Sequence, residues 1–164
     1  MRICCAQMDM LPGEPDANFA HAAELVRRAA KAHNPDVILL PETWNTGFAP
    51  GKLDAFLADE DGARTKETFS ALARELNVNI LAGSVANRKN GGLYNTALVF
   101  SRKGELLAEY DKTHLFSPMG EDAAFEKGGS LACFTLDGVR CAVIVCYDLR
   151  FPELIRTLAL PGLD

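Results

Sequence analysis

The 164-residue sequence lacks any apolar stretch long enough to cross a lipid bilayer. Its first residues, MRICCAQMDM, also lack the uninterrupted apolar core of a secretion signal, because Gln7 and Asp9 break the run. We therefore expect a cytoplasmic protein without a membrane partner.

Positive charge is also scarce. Lys and Arg number 17 against 22 Asp and Glu, which gives a net charge of −5. Such a field repels polyanions, so nucleic acid is not an expected partner. A composition of 48% hydrophobic and 24% charged residues is that of a globular domain with its own core. We expect one domain over residues 1–164, with a small molecule as its partner.

The cysteines lack the arrangement of a disulfide framework or a zinc site. There are five of them, and all lie in apolar stretches: Cys4, Cys5, Cys133, Cys141 and Cys146. An odd number in such surroundings favours reduced thiols. No C-x-x-C pair occurs and the three histidines stand far apart, so no metal site is expected.

The apolar pattern predicts early β-α-β elements followed by hairpins. Helical spacing of apolar residues marks the segments 16–33 and 63–76, and Pro152, a residue suited to the first helical turn, marks a short helix over 152–160. Strands are predicted over 2–8, 36–40, 79–85, 94–100, 106–111, 131–136 and 139–146. Turn sequences join the later strands, most clearly Asn90-Gly-Gly92 and Asp137-Gly138. This order favours a mixed α/β layer fold in which helices cover a central sheet.

Three charged or reactive side chains directly follow predicted strands: Glu42, Lys112 and Cys146. Each has an ordinary explanation by itself, as a solvated loop acid, a surface lysine and a small core thiol. Neighbouring strands lie ~5 Å apart, so the three groups can converge if their strands are adjacent. On such loops we expect Glu42 and Lys112 to serve chemistry more than folding. His114 is a further candidate base, or a structural histidine.

Three motifs in order are more specific than these single residues. They are PETWNTGF at 41–48, EYDKTHLF at 109–116 and VCYDLRFPE at 145–153. Together they resemble the nitrilase superfamily of carbon-nitrogen hydrolases, and the resemblance covers the whole chain. It implies an αββα sandwich, with a mixed sheet and covering helices.

The resemblance also implies a catalytic set of Glu42, Lys112 and Cys146. A second glutamate of the family, which precedes a Phe-Glu pair, matches Glu121. Asp122 and Glu126 are close rivals for that position.

The implied reaction is hydrolysis of a small amide through a thioester. Such a reaction needs a nucleophile, a proton carrier and a group that holds the oxyanion. Cys146 would attack, and Glu42 would take the thiol proton and hand it to the leaving ammonia. Lys112 and the backbone N–H of Tyr147 would hold the oxyanion, and Glu121 would orient substrate or water. No metal or organic cofactor is required.

Within the superfamily, the sequence is most similar to the omega-amidase type, which acts on 2-oxo dicarboxylic acid monoamides. Segments 41–48, 57–62 and 110–116 carry this likeness. Such a substrate has a carboxylate, for which Arg150 is a candidate partner, although it is equally a candidate for bracing the Cys146 loop. The alternatives are an N-carbamoyl or aliphatic amide hydrolase, a papain-like enzyme using Cys146 with His114, and a catalytically silent subunit or binding module.

The final residues, PGLD at 161–164, follow a predicted helix at a point where a further strand is expected. Members of the superfamily continue beyond this point, so the sequence resembles the N-terminal portion of the fold. A sheet cut here exposes an unpaired edge and an apolar face. We therefore expect the isolated chain to form dimers or higher homo-oligomers, with weak turnover or none.

Overall fold

The computed structural model describes residues 1–48 and 53–164. The strands are β1 Ile3–Cys5, β2 Val37–Leu39, β3 Asp59–Glu60, β4 Asn79–Lys89, β5 Gly92–Phe100, β6 Leu106–Asp111, β7 Cys133–Leu136 and β8 Val139–Ala142. The α-helices are α1 Pro15–His33, α2 Ala63–Leu76, α3 Glu121–Ala124 and α4 Pro152–Ala159. Short 3-10 helices lie at Ala55–Leu57, Ser117–Met119 and Cys146–Arg150.

The main sheet is mixed, with the order β1-β2-β4-β5-β6 and with β3 paired to the end of β4. β1, β2 and β4 are parallel, whereas β5 and β6 join as antiparallel neighbours. The strands β1, β2, β4 and β6 therefore run in one direction, and their carboxyl ends lie at one edge. Asn90 and Gly91 form the β4–β5 turn with φ of 52° and 77°, as a two-residue hairpin turn requires.

Apolar layers cover both faces of this sheet. On one face, α1 and α2 enclose Trp44, whose ring meets Phe19 and Phe69 edge-on at centroid distances of 4.6 and 5.5 Å. Pairs of this geometry add about 0.5–1.5 kcal/mol each beyond their burial. The β7–β8 hairpin packs against β5 and β6 on the other face. Within the described residues, no helix combines the length and apolar character needed to span a membrane.

The predicted elements are largely confirmed, and α2 and β6 begin and end where the pattern places them. Several strand predictions are wrong at their ends: β4 continues to Lys89 instead of ending at Val85, and the first and last predicted strands are too long. The first strand is limited to Ile3–Cys5, because its partner β2 is itself only three residues long. The last strand ends at Ala142 instead of Cys146, because the N–H of Val145 donates to the Asp148 carboxylate at 3.0 Å and leaves the ladder.

Candidate active site

Glu42 is held by a loop that lies on strand β4. The carbonyl of Pro41 accepts a hydrogen bond from the N–H of Ser84 at 3.1 Å, and the Ser84 hydroxyl accepts one from the N–H of Thr43 at 3.1 Å. Gly83 permits this approach, because its φ is 57° and a Cβ there would lie 2.0 Å from the Pro41 carbonyl oxygen. The β4–β5 ladder is irregular at the same place. A glycine in a bulged strand thus sets the position of Glu42.

Lys112 follows β6, and its backbone is fixed on both sides. Its N–H donates to the carbonyl of Asn95 at 2.9 Å, and its carbonyl accepts from the N–H of Gly128 at 3.0 Å. The side chain is fully buried, so the ordinary explanation as a surface charge is wrong. Nζ donates to Oε1 of Glu42 at 2.7 Å and to Oε1 and Oε2 of Glu121 at 3.0 and 2.8 Å.

Glu121 begins α3 and is also fully buried. Besides the two bonds from Lys112, its carboxylate accepts one from Nδ2 of Asn95 at 2.8 Å and one from the N–H of Phe116 at 2.6 Å. An ionised carboxylate has about four acceptor positions. Protein donors therefore occupy the whole carboxylate of Glu121.

The two acids that rival Glu121 in the sequence lie elsewhere. Asp122 and Glu126 are exposed. The N–H of Glu126 pairs with the carbonyl of Leu93 at 2.7 Å, at the start of β5. Glu121 is therefore the acid that the structure brings to Lys112.

The buried cluster places one cation between two carboxylates. Burial by itself would lower the pKa of Lys112, but hydrogen bonds to Glu121 and Glu42 raise the pKa above its ordinary value. Lys112 therefore stays charged, and buried charges persist when they are paired and hydrogen-bonded in this way. In the part of the chain that the structure describes, His, Cys, Asp and Glu form no group of three suited to a metal ion.

Cys146 begins the 3-10 helix Cys146–Arg150 with a strained backbone. Its φ of 46° lies in the left-handed region, where a residue other than glycine costs about 1–3 kcal/mol. The residue borders a cleft of about 170 Å³ that also includes Glu42 and is otherwise walled mostly by apolar residues. Partial burial raises the pKa of the thiol, and the charge of Glu42 raises it further, whereas Lys112 lowers it. The thiol is therefore protonated near neutral pH, and a base is needed to activate it.

The carboxylate of Asp148 connects the backbone just before Cys146 to strand β6 and to the loop that follows β6. This buried carboxylate accepts hydrogen bonds from the hydroxyl of Tyr110 at 2.7 Å, the N–H of Val145 at 3.0 Å and the N–H of His114 at 2.9 Å. Burial and the charge of Asp148 raise the pKa of Tyr110 to about 12. The EYDKTHLF and VCYDLRFPE motifs are thus joined through one carboxylate.

His114 has a different environment from that of a base for Cys146. Its Nδ1 lies 2.9 Å from Oδ1 of Asp148, and its ring stacks on Phe151 with a centroid distance of 3.6 Å and an angle of 10°. Besides burial, the carboxylates that raise the pKa of the Cys146 thiol are Glu42 and, to a smaller extent, Glu121. This geometry favours a structural role for His114 and gives no support to a papain-like pair.

Tyr147 and Arg150 belong to the same 3-10 helix as Cys146. The N–H of Tyr147 lies in the first turn, where N–H groups have no partner within a helix. The Tyr147 ring packs edge-on against Phe116 at 5.0 Å. Arg150 is exposed and does not line the cleft beside Cys146.

The site residues converge by a route that differs from the predicted one. β2 and β6 are not adjacent but are separated by β4 and β5, and β8 lies in a separate hairpin. Asn95 of β5 lies between the residues that follow β2 and β6. Its Nδ2 donates to Oε1 of Glu42 and to Oε1 of Glu121, at 2.8 Å in each case. Asn95 lies outside the three sequence motifs. The available signal is an asparagine, a poor strand former, within the apolar stretch GLYNTALVF.

Comparison with known proteins identifies the family. The sequence model described as carbon-nitrogen hydrolase matches residues 2–164. The chain belongs to the carbon-nitrogen hydrolase family. It is 41% identical to the 2-oxoglutaramate amidase of Bacillus subtilis (strain 168) over 154 residues, which are 94% of this chain and 58% of the relative. It is 30% identical to omega-amidase NIT2 of Homo sapiens over 152 residues, 88% of this chain and 54% of the relative.

A solved structure shares the fold. A CN-hydrolase superfamily protein of Xanthomonas campestris, described with an arsenic adduct in its active site, matches with a TM-score of 0.83 and 31% identity. The match covers 93% of this chain and 56% of that chain. The predicted family and its mixed α/β fold are thereby confirmed. The chain spans between 54% and 58% of the length of these three proteins.

Proposed function

We propose that the protein carrying this chain hydrolyses the C–N bond of a small amide, with Cys146 as the nucleophile. The observation that carries this proposal is the contact of Lys112 with both Glu42 and Glu121, beside a strained thiol at the border of a cleft. The cluster offers a proton acceptor, a fixed cation and a nucleophile together. Membership of the carbon-nitrogen hydrolase family supplies the class of reaction.

In the first half-reaction, the sulfur of Cys146 attacks the amide carbon while Glu42 accepts the thiol proton. The carbonyl oxygen becomes an oxyanion that Lys112 and the N–H of Tyr147 stabilise. Glu42 then gives the proton to the amide nitrogen, the C–N bond breaks and ammonia leaves. The acyl group stays on Cys146 as a thioester.

The second half-reaction returns the enzyme to its starting state. A water molecule attacks the thioester carbon and gives a proton to Glu42. The C–S bond breaks, the sulfur of Cys146 recovers a proton from Glu42, and the carboxylic acid is released. One carboxylate therefore serves both half-reactions.

The bonds of Lys112 suit this sequence of events. In the resting state, Nζ donates to Glu42 and to both oxygens of Glu121. When Glu42 takes a proton it loses its charge, and its hydrogen bond from Lys112 weakens. An N–H of Lys112 can then turn to the oxyanion as the oxyanion forms, while Glu121 keeps Nζ in place.

In this proposal Glu121 is a positioning residue for Lys112. The role suggested by the resemblance, orienting substrate or water, needs an unoccupied lone pair on the carboxylate. Four hydrogen bonds from protein donors leave none on Glu121. Its contribution therefore reaches the substrate through the ammonium group of Lys112.

As the substrate class we propose the 2-oxo dicarboxylic acid monoamides, such as 2-oxoglutaramate. The identity with the amidase of Bacillus subtilis and the likeness of three segments to the omega-amidase type support this choice. The substrate carboxylate would need a cation. Arg150, on the same 3-10 helix as Cys146, is our candidate for that contact.

Ammonia release from a panel of substrates at equal concentration tests this function. We expect 2-oxoglutaramate to exceed acetamide, glutamine and N-carbamoyl amino acids, and Cys146→Ala and Glu42→Gln to abolish turnover. Arg150→Ala should raise KM for 2-oxoglutaramate but not for acetamide.

Other outcomes point to the alternatives. Preference for acetamide would indicate an aliphatic amide hydrolase, and preference for an N-carbamoyl amino acid would indicate an N-carbamoyl hydrolase. Absence of turnover with every amide would favour a catalytically silent subunit or binding module. Loss of turnover in His114→Ala with retention in Lys112→Met would favour a papain-like mechanism.

A further inference from the structure

Asn95 lies between the two glutamates of the site. It is a fully buried residue of β5, and its Nδ2 donates to Oε1 of Glu42 and to Oε1 of Glu121. These are the same two oxygens to which Nζ of Lys112 donates. Asn95 and Lys112 therefore close a ring in which two donors bridge one pair of carboxylate oxygens.

This ring distinguishes the two oxygens of Glu42. Among the described residues, the donors to Glu42 are bonded at Oε1. The side chain is 20% exposed and borders the cleft beside Cys146. Oε2 is therefore the oxygen with capacity to accept a proton, and the bonds at Oε1 fix its direction.

We propose that Asn95 is a positioning residue of the amidase reaction, which holds Glu42 so that Oε2 exchanges the proton. The proposal rests on the function proposed above. When Glu42 is protonated, its bond from Lys112 weakens, and Lys112 turns to the oxyanion. The amide of Asn95 does not titrate, so its donor stays in place through both half-reactions and keeps Glu42 aligned for the return of the proton.

The other end of the Asn95 amide supports this role. Oδ1 is buried and has no hydrogen-bond partner within the described part of the chain. A buried carbonyl oxygen without a partner costs about 1–3 kcal/mol. A leucine would fill a strand position of this size without that cost. Because both glutamates are acceptors, the amide must present Nδ2 to them, and Oδ1 is left without a partner as a consequence.

Asn87 provides a matched control. It lies on β4, is equally buried and also has an unpartnered Oδ1, but its Nδ2 donates to the hydroxyl oxygen of Thr96 at 3.2 Å. Asn95→Leu and Asn87→Leu therefore remove the same group from similar surroundings. Only the Asn95→Leu change removes a donor to Glu42.

We expect Asn95→Leu to lower kcat for 2-oxoglutaramate by about ten- to a hundredfold, as loss of a hydrogen bond to a charged group implies. KM should change little, because the residue does not contact the substrate. Asn87→Leu should leave kcat unchanged, because it removes no donor to Glu42. Each kcat is divided by the folded fraction from circular dichroism.

Asn95→Asp is a second variant that keeps the shape of the side chain. Its carboxyl group can donate a hydrogen bond only when protonated, so kcat relative to the unmodified protein should rise as the pH falls. Loss of packing alone does not produce this trend. Asn87→Asp should not show it. If Asn95→Leu does not fold, Asn95→Asp decides the question.

The proposal is wrong if the Asn95 variants keep the kcat and the pH dependence of the unmodified protein. It is also wrong if the Asn87 variants lose as much kcat as the Asn95 variants. Glu42→Gln separates this failure from failure of the proposed function. If Glu42→Gln keeps wild-type turnover, both are wrong. If it abolishes turnover while the Asn95 variants stay fully active, only the role of Asn95 is wrong.

Discussion

Nζ of Lys112 lies 2.7 Å from Oε1 of Glu42, although 70 positions separate the two residues in the chain. Their strands are separated by β4 and β5 within the sheet. The contact exists because the Glu42 loop is bonded to β4 and because the backbone of Lys112 is bonded to Asn95 of β5, whose Nδ2 also donates to Glu42. The pair therefore depends on the central strands as much as on its own loops.

Lys112 should matter for folding as well as for chemistry, contrary to the expectation for a strand-terminal loop. Lys112→Met leaves Glu121 as a buried charge without its cation, which should destabilise the protein by about 3–5 kcal/mol. Urea denaturation measures this loss. The double variant Lys112→Met with Glu121→Gln should recover most of the stability, and a double variant no more stable than Lys112→Met would contradict the account.

Alkylation of Cys146 by iodoacetamide should keep rising with pH beyond the range of an ordinary thiol, because its raised pKa delays thiolate formation. Glu42→Gln should move the profile to lower pH, since it removes a charge that raises this pKa, and Lys112→Met should move it to higher pH. Peptide mass spectrometry separates Cys146 from Cys5 and Cys133, which are also exposed. Turnover should be lost in proportion to the alkylation of Cys146 and not of the other cysteines. If Glu42→Gln and Lys112→Met shift the pH profile of alkylation in the same direction, the assigned effects of these two residues on the thiol are wrong.

Tyr110 should make stability depend on pH at the alkaline end. Its folded-state pKa is raised from 10.0 to about 12, so its contribution is fully present below pH 10 and is lost as the pH rises through about 12. The stability difference between the unmodified protein and Tyr110→Phe should therefore shrink over that window. Urea denaturation at several pH values tests this, and a constant difference would mean that burial and Asp148 do not raise the pKa of the phenol in the folded protein.

Gly83→Ala should disrupt both fold and turnover. Its Cβ would lie 2.0 Å from the carbonyl oxygen of Pro41, so the Glu42 loop would have to move. Gly91→Ala is the matched control, since Gly91 also has positive φ but has no atom within 4 Å of the added Cβ. We expect about 1–2 kcal/mol of destabilisation and normal kcat for Gly91→Ala. Gly83→Ala should lose more stability and most of its turnover, and equal effects would show that backbone strain alone is responsible.

Much of the fold follows from local sequence pattern. Helix α2 and strand β6 are bounded by clear changes in apolar spacing, and the Asn90-Gly-Gly92 turn fixes the β4–β5 hairpin. The end of β8 could not be predicted this way. The apolar run continues to Val145, and only the carboxylate of Asp148, three positions further on, withdraws that N–H from the ladder.

The site was predictable only as far as the motifs reach. Glu42, Lys112 and Cys146 follow strands, but their convergence depends on strand order, which no local pattern encodes. Asn95 shows the limit most clearly. It stands in an apolar strand, outside the three motifs, and its importance comes entirely from two side chains that are brought to it by distant parts of the chain.

At Cys146 the requirements of stability and of reactivity conflict. The left-handed backbone lowers the stability of the fold, whereas the proposed reaction needs the thiol at this position. Glycine would adopt a φ of 46° without strain, so Cys146→Gly should be inactive and yet unfold at a higher temperature than the unmodified protein. An inactive chain would be more stable with glycine than with cysteine at this position. Cys146 therefore holds its thiol in this backbone conformation at a cost in stability that glycine would not carry.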